Sequence, residues 1–284
     1  MPSSPLRYPG GKAKLFPFFA RLIEANQLFG CEYIEPYAGG AGLAIKLLVD
    51  GFVDRIAIND LDVGIYSFWS SVFRAPDAFC ELIEKTPVTI DEWFNQKKIW
   101  SECSGEDFVK KGFATFFLNR TNRSGIIGGA GPVGGFKQSG EWKIDARFNK
   151  SSLIENIKSL ARLANKVSLA NQNAIDFVKP KLKNKNRALI YLDPPYYKKA
   201  QKLYTNFYNH DDHIAIAKML LQSRSAKWVV SYDQAPQLRL AYSQVRCIQY
   251  HLNYSAAVKT VGAEFIFLSD ALTDPNIEGF RLAG

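Results

Sequence analysis

The chain has 284 residues, 47% of them hydrophobic, which is enough for one large α/β core or a core with a smaller insert. A formal net charge of +9 points to a polyanion as partner, either nucleic acid or a membrane surface. No run approaches the about 20 apolar residues of a membrane span, and Met1 to Tyr8 carries no apolar signal core, so a cytoplasmic protein without a membrane partner is expected. The four cysteines, Cys31, Cys80, Cys103 and Cys247, are far apart and form no CxxC, which argues against a bound metal and against a disulfide framework.

The loop Tyr8-Pro9-Gly10-Gly11-Lys12 precedes a helical stretch in which Leu15, Phe18, Phe19, Leu22 and Ile23 recur at helical spacing. Tyr33-Ile34-Glu35 reads as a short strand, Gly39-Gly40-Ala41-Gly42 as a tight turn, Leu43 to Val49 as the helix after it, and Arg55 to Ile58 as a second strand ending at Asn59-Asp60. From 65 to 162 the character changes. Ile65 to Phe73 and Phe108 to Leu118 look helical, Ile126 to Gly140 is a glycine-rich loop, and Trp142-Lys143-Ile144 suits a short strand. Asp77 to Asp107 leans acidic, whereas Lys110, Lys111, Arg120, Arg123, Lys137, Lys143, Arg147 and Lys150 concentrate positive charge after it. From 163 the alternation returns. Val167 to Leu169, Ala188 to Leu192 and Trp228 to Ser231 read as strands. His213 to Leu221 reads as a helix with Asp211 or Asp212 near its N-terminus, and Val245 to Leu252 with Phe265 to Leu268 as a terminal strand pair. Strands alternating with helices predict an α/β, doubly wound, mostly parallel sheet, with 65–162 inserted between its second and third strands.

Glycines after a first strand let backbone approach a ligand beside a helix N-terminus, and an acid ending the second strand, Asp60, can bond two ribose hydroxyls. Both features suit NAD as well as S-adenosylmethionine. The strict GxGxxG fingerprint fails because Ile45 stands where its third glycine would be, and a phosphate loop fails because Ala13 follows Lys12. The more telling motif is Asp193-Pro194-Pro195-Tyr196 after an apolar strand. Two prolines end the ladder and hold an acid and an aromatic ring rigidly at the carboxyl edge of the sheet, where ligands bind. The amine of adenine is a poor nucleophile because its lone pair is delocalised. A carboxylate and the Pro194 carbonyl accepting its protons would favour a pyramidal nitrogen aimed at a donor methyl, and Tyr196 would stack on a base turned out of the duplex. Methylation of cytosine carbon needs a Pro-Cys nucleophile, and no cysteine here follows a proline.

These motifs, in this order, resemble the Dam-like class of DNA N6-adenine methyltransferases over nearly the whole chain. The matching stretches are Leu6 to Lys12, Tyr33 to Gly42, Asn59-Asp60, Leu118 to Gly125, Asp145 to Lys150 and Asp193 to Tyr196. The resemblance implies a seven-stranded Rossmann-like methyltransferase sheet built from 1–64 and 163–284, with a largely helical target-recognition domain at 65–162. It implies S-adenosylmethionine as cofactor. Tyr8, Gly11 and Lys12 would lie at its methionine end, Glu35, Pro36, Ala38, Gly39, Gly40 and Gly42 around it, and Asp60 on its ribose. Asp176 would lie near its adenine, and Asp193 at the transferred methyl. Asp193, Pro194, Pro195 and Tyr196 would be catalytic. Double-stranded DNA would meet Arg120, Asn122, Arg123, Lys137, Lys143, Arg147, Lys150 and Lys198, with Trp142 to Lys150 as a hairpin at the target; Lys199, Lys202, Tyr204 and Phe207 follow the catalytic corner. A monomer encoded by a bacterium or phage is expected, with a cognate restriction endonuclease as an open partner. The glycine-rich segment from Ile126 to Gly140 departs from the best-known member and leaves the target sequence unnamed. Two rival readings remain at this level. One keeps the corner and changes the substrate to RNA or another exocyclic amine. The other is an NAD-dependent oxidoreductase, which His210, His213 and His251 do not obviously equip.

Overall fold

The opening unit forms as its spacing predicts. α1 (Phe16–Ala25) buries Phe18, Phe19, Leu22 and Ile23 along one stripe. β1 (Cys31–Glu35) and β2 (Val53–Asn59) pair in parallel, with α2 (Gly42–Val49) crossing between them. The computed structural model describes residues 1–7, 12–183, 187–197, 208–254, 260–277 and 280–282, of which 251–254, 260–263 and 280–282 are described by their backbone.

β3 (Val167–Ala170), β4 (Ala188–Leu192), β5 (Trp228–Asp233), β6 (Arg246–Tyr254) and β7 (Thr260–Leu268) complete the seven strands the alternation called for. A three-residue strand, β8 (Phe280–Leu282), adds itself to the β6 edge. The order is β3-β2-β1-β4-β5-β7-β6-β8. Pairing is parallel from β3 to β5, and β7 runs antiparallel to both β5 and β6. The chain winds outward from β1 to β3, then returns to β4 on the other side of β1. That reversal opens a crevice at the carboxyl ends of β1 and β4, the place where open α/β sheets bind ligands.

β4 is buried along its whole length and therefore reads as an uninterrupted apolar run. Leu189 and Tyr191 face one core, shared with α1, α2 and the inserted helices, while Ile190 and Leu192 face the other. The second core holds α8 (Ala174–Val178), α9 (His210–Leu221) and α10 (Pro236–Ala241). Asp211 and Asp212 lie in the first turn of α9 as expected, and Asn209 is its N-cap, in a reciprocal capping box with Asp212.

Between β2 and β3 lie five α-helices: α3 (Val63–Arg74), α4 (Pro76–Lys85), α5 (Ile90–Glu102), α6 (Phe108–Thr121) and α7 (Lys150–Ala161). Sequence periodicity finds α3 and α6 but not α4, α5 and α7. α5 buries only Trp93 and Gln96, too little for a visible stripe. The capping residues are the better signal. Asp62, Thr89, Asp107 and Asn149 accept the first free N–H groups of α3, α5, α6 and α7. Gly112 lets α6 approach α3 closely, since a Cβ there would sit 2.6 Å from the Ser67 carbonyl oxygen. The aromatic packing of Phe68, Phe79, Phe113 and Phe116 continues without a break into the core beneath the sheet.

The strand expected at Trp142-Lys143-Ile144 is not formed. The segment is a series of turns, because the Ile144 N–H is taken by the Gln138 side chain at 2.8 Å and no neighbouring strand lies beside it among the described residues. The hairpin expected over Trp142 to Lys150 is not formed either, since those turns run directly into α7; the isolated bridge between Asn122 and Pro132 lies earlier in the loop. No helix among the described residues is long and apolar enough to cross a membrane.

Candidate active site

β1 delivers Glu35 to the crevice, and the turn after it is held open by polar ties. Gly39 (φ 44°) and Ala41 (φ 45°) are left-handed, which places α2 directly behind the turn. Asp60, at the end of β2, accepts the Gly39 N–H on Oδ2 at 2.8 Å and the Asp62 N–H on Oδ1 at 2.9 Å. Asn59 donates to the carbonyls of Pro36 and Gln172, each at 3.0 Å, and its backbone carbonyl accepts the Ala38 N–H. The Trp69 indole of α3 donates to the Gly39 carbonyl at 2.9 Å, so an inserted helix braces the turn. Burial pushes the Asp60 carboxyl up to about 7, despite the two N–H groups that favour its charge. Glu35 accepts the Ala44 N–H near the start of α2, yet its Oε2 is buried with no hydrogen-bond partner among the described residues. Burial, then the nearby charge of Asp193, holds its carboxyl well above the usual carboxylate range.

β4 delivers Asp193, the first residue past the strand. Asp193 Oδ1 accepts from Ser231 Oγ at 2.7 Å and lies 3.3 Å from Lys12 Nζ. Ser231 is itself hydrogen-bonded to the Tyr191 hydroxyl at 2.7 Å. Lys12 also reaches Glu264, a β7 residue, at 2.9 Å and 3.2 Å. Glu264 accepts from the Tyr196 hydroxyl at 3.1 Å and from the Tyr250 hydroxyl across the β6–β7 pair. The Tyr197 N–H donates to Asp233 at 2.8 Å, fixing the chain after the two prolines. The side chains of Lys12 and Glu264 are 5% and 1% exposed against 24% for Asp193, so Asp193 is the charged group an incoming molecule can reach. Burial raises the Asp193 carboxyl to about 6, with Lys12 opposing the rise and Glu264 adding to it. Burial alone would lower the Lys12 ammonium, but Asp193, Tyr191 and Glu264 outweigh it and hold Lys12 well above its ordinary value.

The expected residues Lys12, Glu35, Pro36, Ala38, Gly39, Gly40, Gly42, Asp60 and Asp193 to Tyr196 thus lie on the turn and corner bordering one crevice or lead into them. Asp176 sits exposed in the first turn of α8. Tyr8, Gly11, Lys198, Lys199, Lys202, Tyr204 and Phe207 lie outside the described residues. Sequence reasoning missed Glu264, Ser231 and Tyr250. The signal for Glu264 was available: a lone acid in the run Ala263 to Leu268, where a strand otherwise carries only apolar side chains.

The candidate DNA residues divide. Arg123, Lys137, Lys143 and Arg147 are exposed, with Arg147 6.0 Å from the centre of the exposed Trp142 ring. Arg120 and Asn122 serve internal ties instead. Arg120 donates to the carbonyls of Arg147 and Pro5, at 2.7 and 3.2 Å, and burial followed by Arg7 and Arg147 lowers it to about 10. Lys150, half-buried, donates to the Glu84 carbonyl. Asn122 is fully buried. It accepts from the Trp93 indole at 2.6 Å and donates to the carbonyls of Ile126 and Ile127. Replacing Asn122 by Ala strands an indole N–H and two carbonyls, and is expected to cost about 2–4 kcal/mol in chemical denaturation. A variant as stable as the parent would show that the amide does not hold this loop.

Sheet order, glycine turn and acid-proline-proline-tyrosine corner together define a Rossmann-like methyltransferase. Residues 8–257 match the model of the D12 class N6 adenine-specific DNA methyltransferases, and the chain belongs to that family. The Type II methyltransferase M.MjaIII of Methanocaldococcus jannaschii is 24% identical over 257 residues, covering 80% of this chain and 82% of that one. A solved structure, the rRNA methyltransferase aviRa from Streptomyces viridochromogenes, aligns over 93% of this chain and 86% of its own, with a TM-score of 0.39 and 11% identity.

Proposed function

We propose that the protein transfers the methyl group of S-adenosylmethionine directly to N6 of an adenine turned out of duplex DNA. The carrying observation is the state of Asp193. Its two contacts among the described residues both fall on Oδ1, which leaves Oδ2 to accept a proton of the amine. S-adenosylmethionine supplies an electrophilic methyl on a sulfonium. Glu35 with its unpartnered oxygen, Asp60 and Asp193 border the crevice, and a cofactor carrying positive charge there favours the ionised forms that burial disfavours. In the transfer the amine lone pair forms the N–C bond as the C–S bond breaks, and the electron pair stays on sulfur. Asp193 holds one amine proton through the displacement, and the proton that the methylated N6 then loses passes to solvent water. Tyr196 stacks on the extruded base, its hydroxyl tethered to Glu264.

Residues 1–64 and 163–284 form the catalytic part in this reading, and 65–162 the recognition part. Arg123, Lys137, Lys143 and Arg147 contact phosphates or base edges, while Arg120, Asn122 and Lys150 shape the surface that presents them. The protein acts as a monomer. Incubation with tritiated S-adenosylmethionine and unmethylated phage DNA, or with RNA, tests the reading. Label in N6-methyladenine of the DNA is expected, and label confined to RNA would overturn it. Asp60→Ala removes both N–H acceptors of the turn and should weaken cofactor binding about 10- to 100-fold by calorimetry. An unchanged affinity would remove Asp60 from the cofactor site.

A further inference from the structure

We propose that Glu264 is a positioning residue for the transfer, drawing the Lys12 ammonium and the Tyr196 hydroxyl to one point so that Asp193 keeps an oxygen for the amine. The inference rests on the reading of Asp193 as the group that orients the amine. A buried carboxylate is costly unless it is paired and hydrogen-bonded. Glu264 meets that need with Lys12, Tyr196 and Tyr250, which reach it from the chain before α1, from the corner after β4 and from β6. A wholly structural ion pair would need no contact with the corner. Here the same carboxylate touches Tyr196 directly and Asp193 through Lys12.

The distances show which acid has the ammonium. Lys12 Nζ lies 2.9 and 3.2 Å from the two oxygens of Glu264 and 3.3 Å from one oxygen of Asp193. With Glu264 neutral, the ammonium has Asp193 as its remaining carboxylate and is drawn onto both Asp193 oxygens, including the one the amine requires. The Tyr196 hydroxyl also loses its charged acceptor, although two prolines still fix the backbone beneath the ring. Asp193 is faced by Tyr33 and Glu35 from β1, Tyr191 from β4, Lys12, Tyr250 from β6 and Glu264 from β7; the β5 acid, Asp233, binds the Tyr197 N–H beside it. Glu264 and Lys12 act on Asp193 with opposite signs.

The test is the Glu264→Gln variant, assayed as full-length protein for methyl transfer from tritiated S-adenosylmethionine into unmethylated phage DNA across pH. The expected result is a fall in kcat of about 10- to 100-fold with cofactor affinity within about 3-fold of the parent. The acid limb of the pH profile should move to lower pH, because Asp193 loses a like-charged neighbour. A loss of activity with an unmoved limb would mean a structural role and overturn the proposal. Should Glu264→Gln fail to fold, Lys12→Met with Glu264→Gln leaves neither charge of the pair buried. Measured against Lys12→Met alone, the added change should cost little further kcat, since Glu264 acts largely through Lys12. A further fall in kcat of about 10-fold or more below Lys12→Met would overturn the proposal. A parent protein that methylates no DNA would fail the functional reading itself, which separates the two failures.

Discussion

Asp193→Ala is expected to lower kcat for DNA methylation by at least about 10³-fold while leaving cofactor affinity within a few-fold. The corner is rigid by construction. β4 is central and fully buried, Pro194 and Pro195 follow at once, and Tyr197 is tied to Asp233. Removing the carboxylate therefore removes the acceptor without loosening what surrounds it. Lys12 keeps Glu264 and Ser231 keeps Tyr191, so neither is stranded. A protonated Asp193 cannot accept the amine proton, and burial has raised its carboxyl to about 6. Activity should thus be full above that value and fall as pH drops through it, well before an exposed carboxylate would titrate. Retained turnover in Asp193→Ala, or a flat profile down to about pH 4, would remove Asp193 from the reaction.

Gly125→Ala is expected to destabilise the protein by about 3 kcal/mol or more and to raise KM for cofactor and DNA together. Gly125 has φ +75°, and a Cβ there would stand 2.2 Å from the Arg7 carbonyl oxygen. Neither side can yield cheaply. Asn119, fully buried in α6, accepts the Arg7 N–H at 2.7 Å and donates to the carbonyls of Arg7 and Gly125 at 2.8 and 2.9 Å. Arg7 leads towards Lys12 and the crevice, whereas Gly125 opens the loop carrying the exposed basic residues. The clash therefore falls on a seam that touches both. Thermal unfolding should show a drop of roughly 5–10 °C. A melting point unchanged within about 1 °C, with both KM values intact, would show that the seam is slack.

The sheet was legible because its strands are written in local signals. Glycines mark the turn after β1, prolines mark the end of β4, and the apolar runs between them leave little choice of period. Asp193 and Asp60 were legible for the same reason, since each follows directly on a strand. Glu264 was not, because its meaning comes from Lys12, and no local rule pairs the two. Asn122 and Arg120 were misleading in the opposite way. Polar residue types in a basic segment suggest a ligand, but burial converted them into ties for carbonyls that the irregular loops from 122 to 149 leave without strand partners. α4 and α5 were obscured because each buries few side chains; α5 is announced only by its cap Thr89, and α4 has no side-chain cap at all.

The Lys12–Glu264 pair joins residues 252 positions apart. During synthesis the carboxylate emerges long after the ammonium, once the inserted helices and most of the sheet have been made. Such a contact closes late and gives the folding reaction one of its longest loops. Until β7 docks beside β5, Lys12 has Asp193 but not Glu264 beside it, and the Tyr196 hydroxyl lacks the Glu264 carboxylate it donates to in the folded protein. A growing chain would then carry the catalytic corner without Glu264, and methylating competence would arrive with β7 rather than with the motif itself.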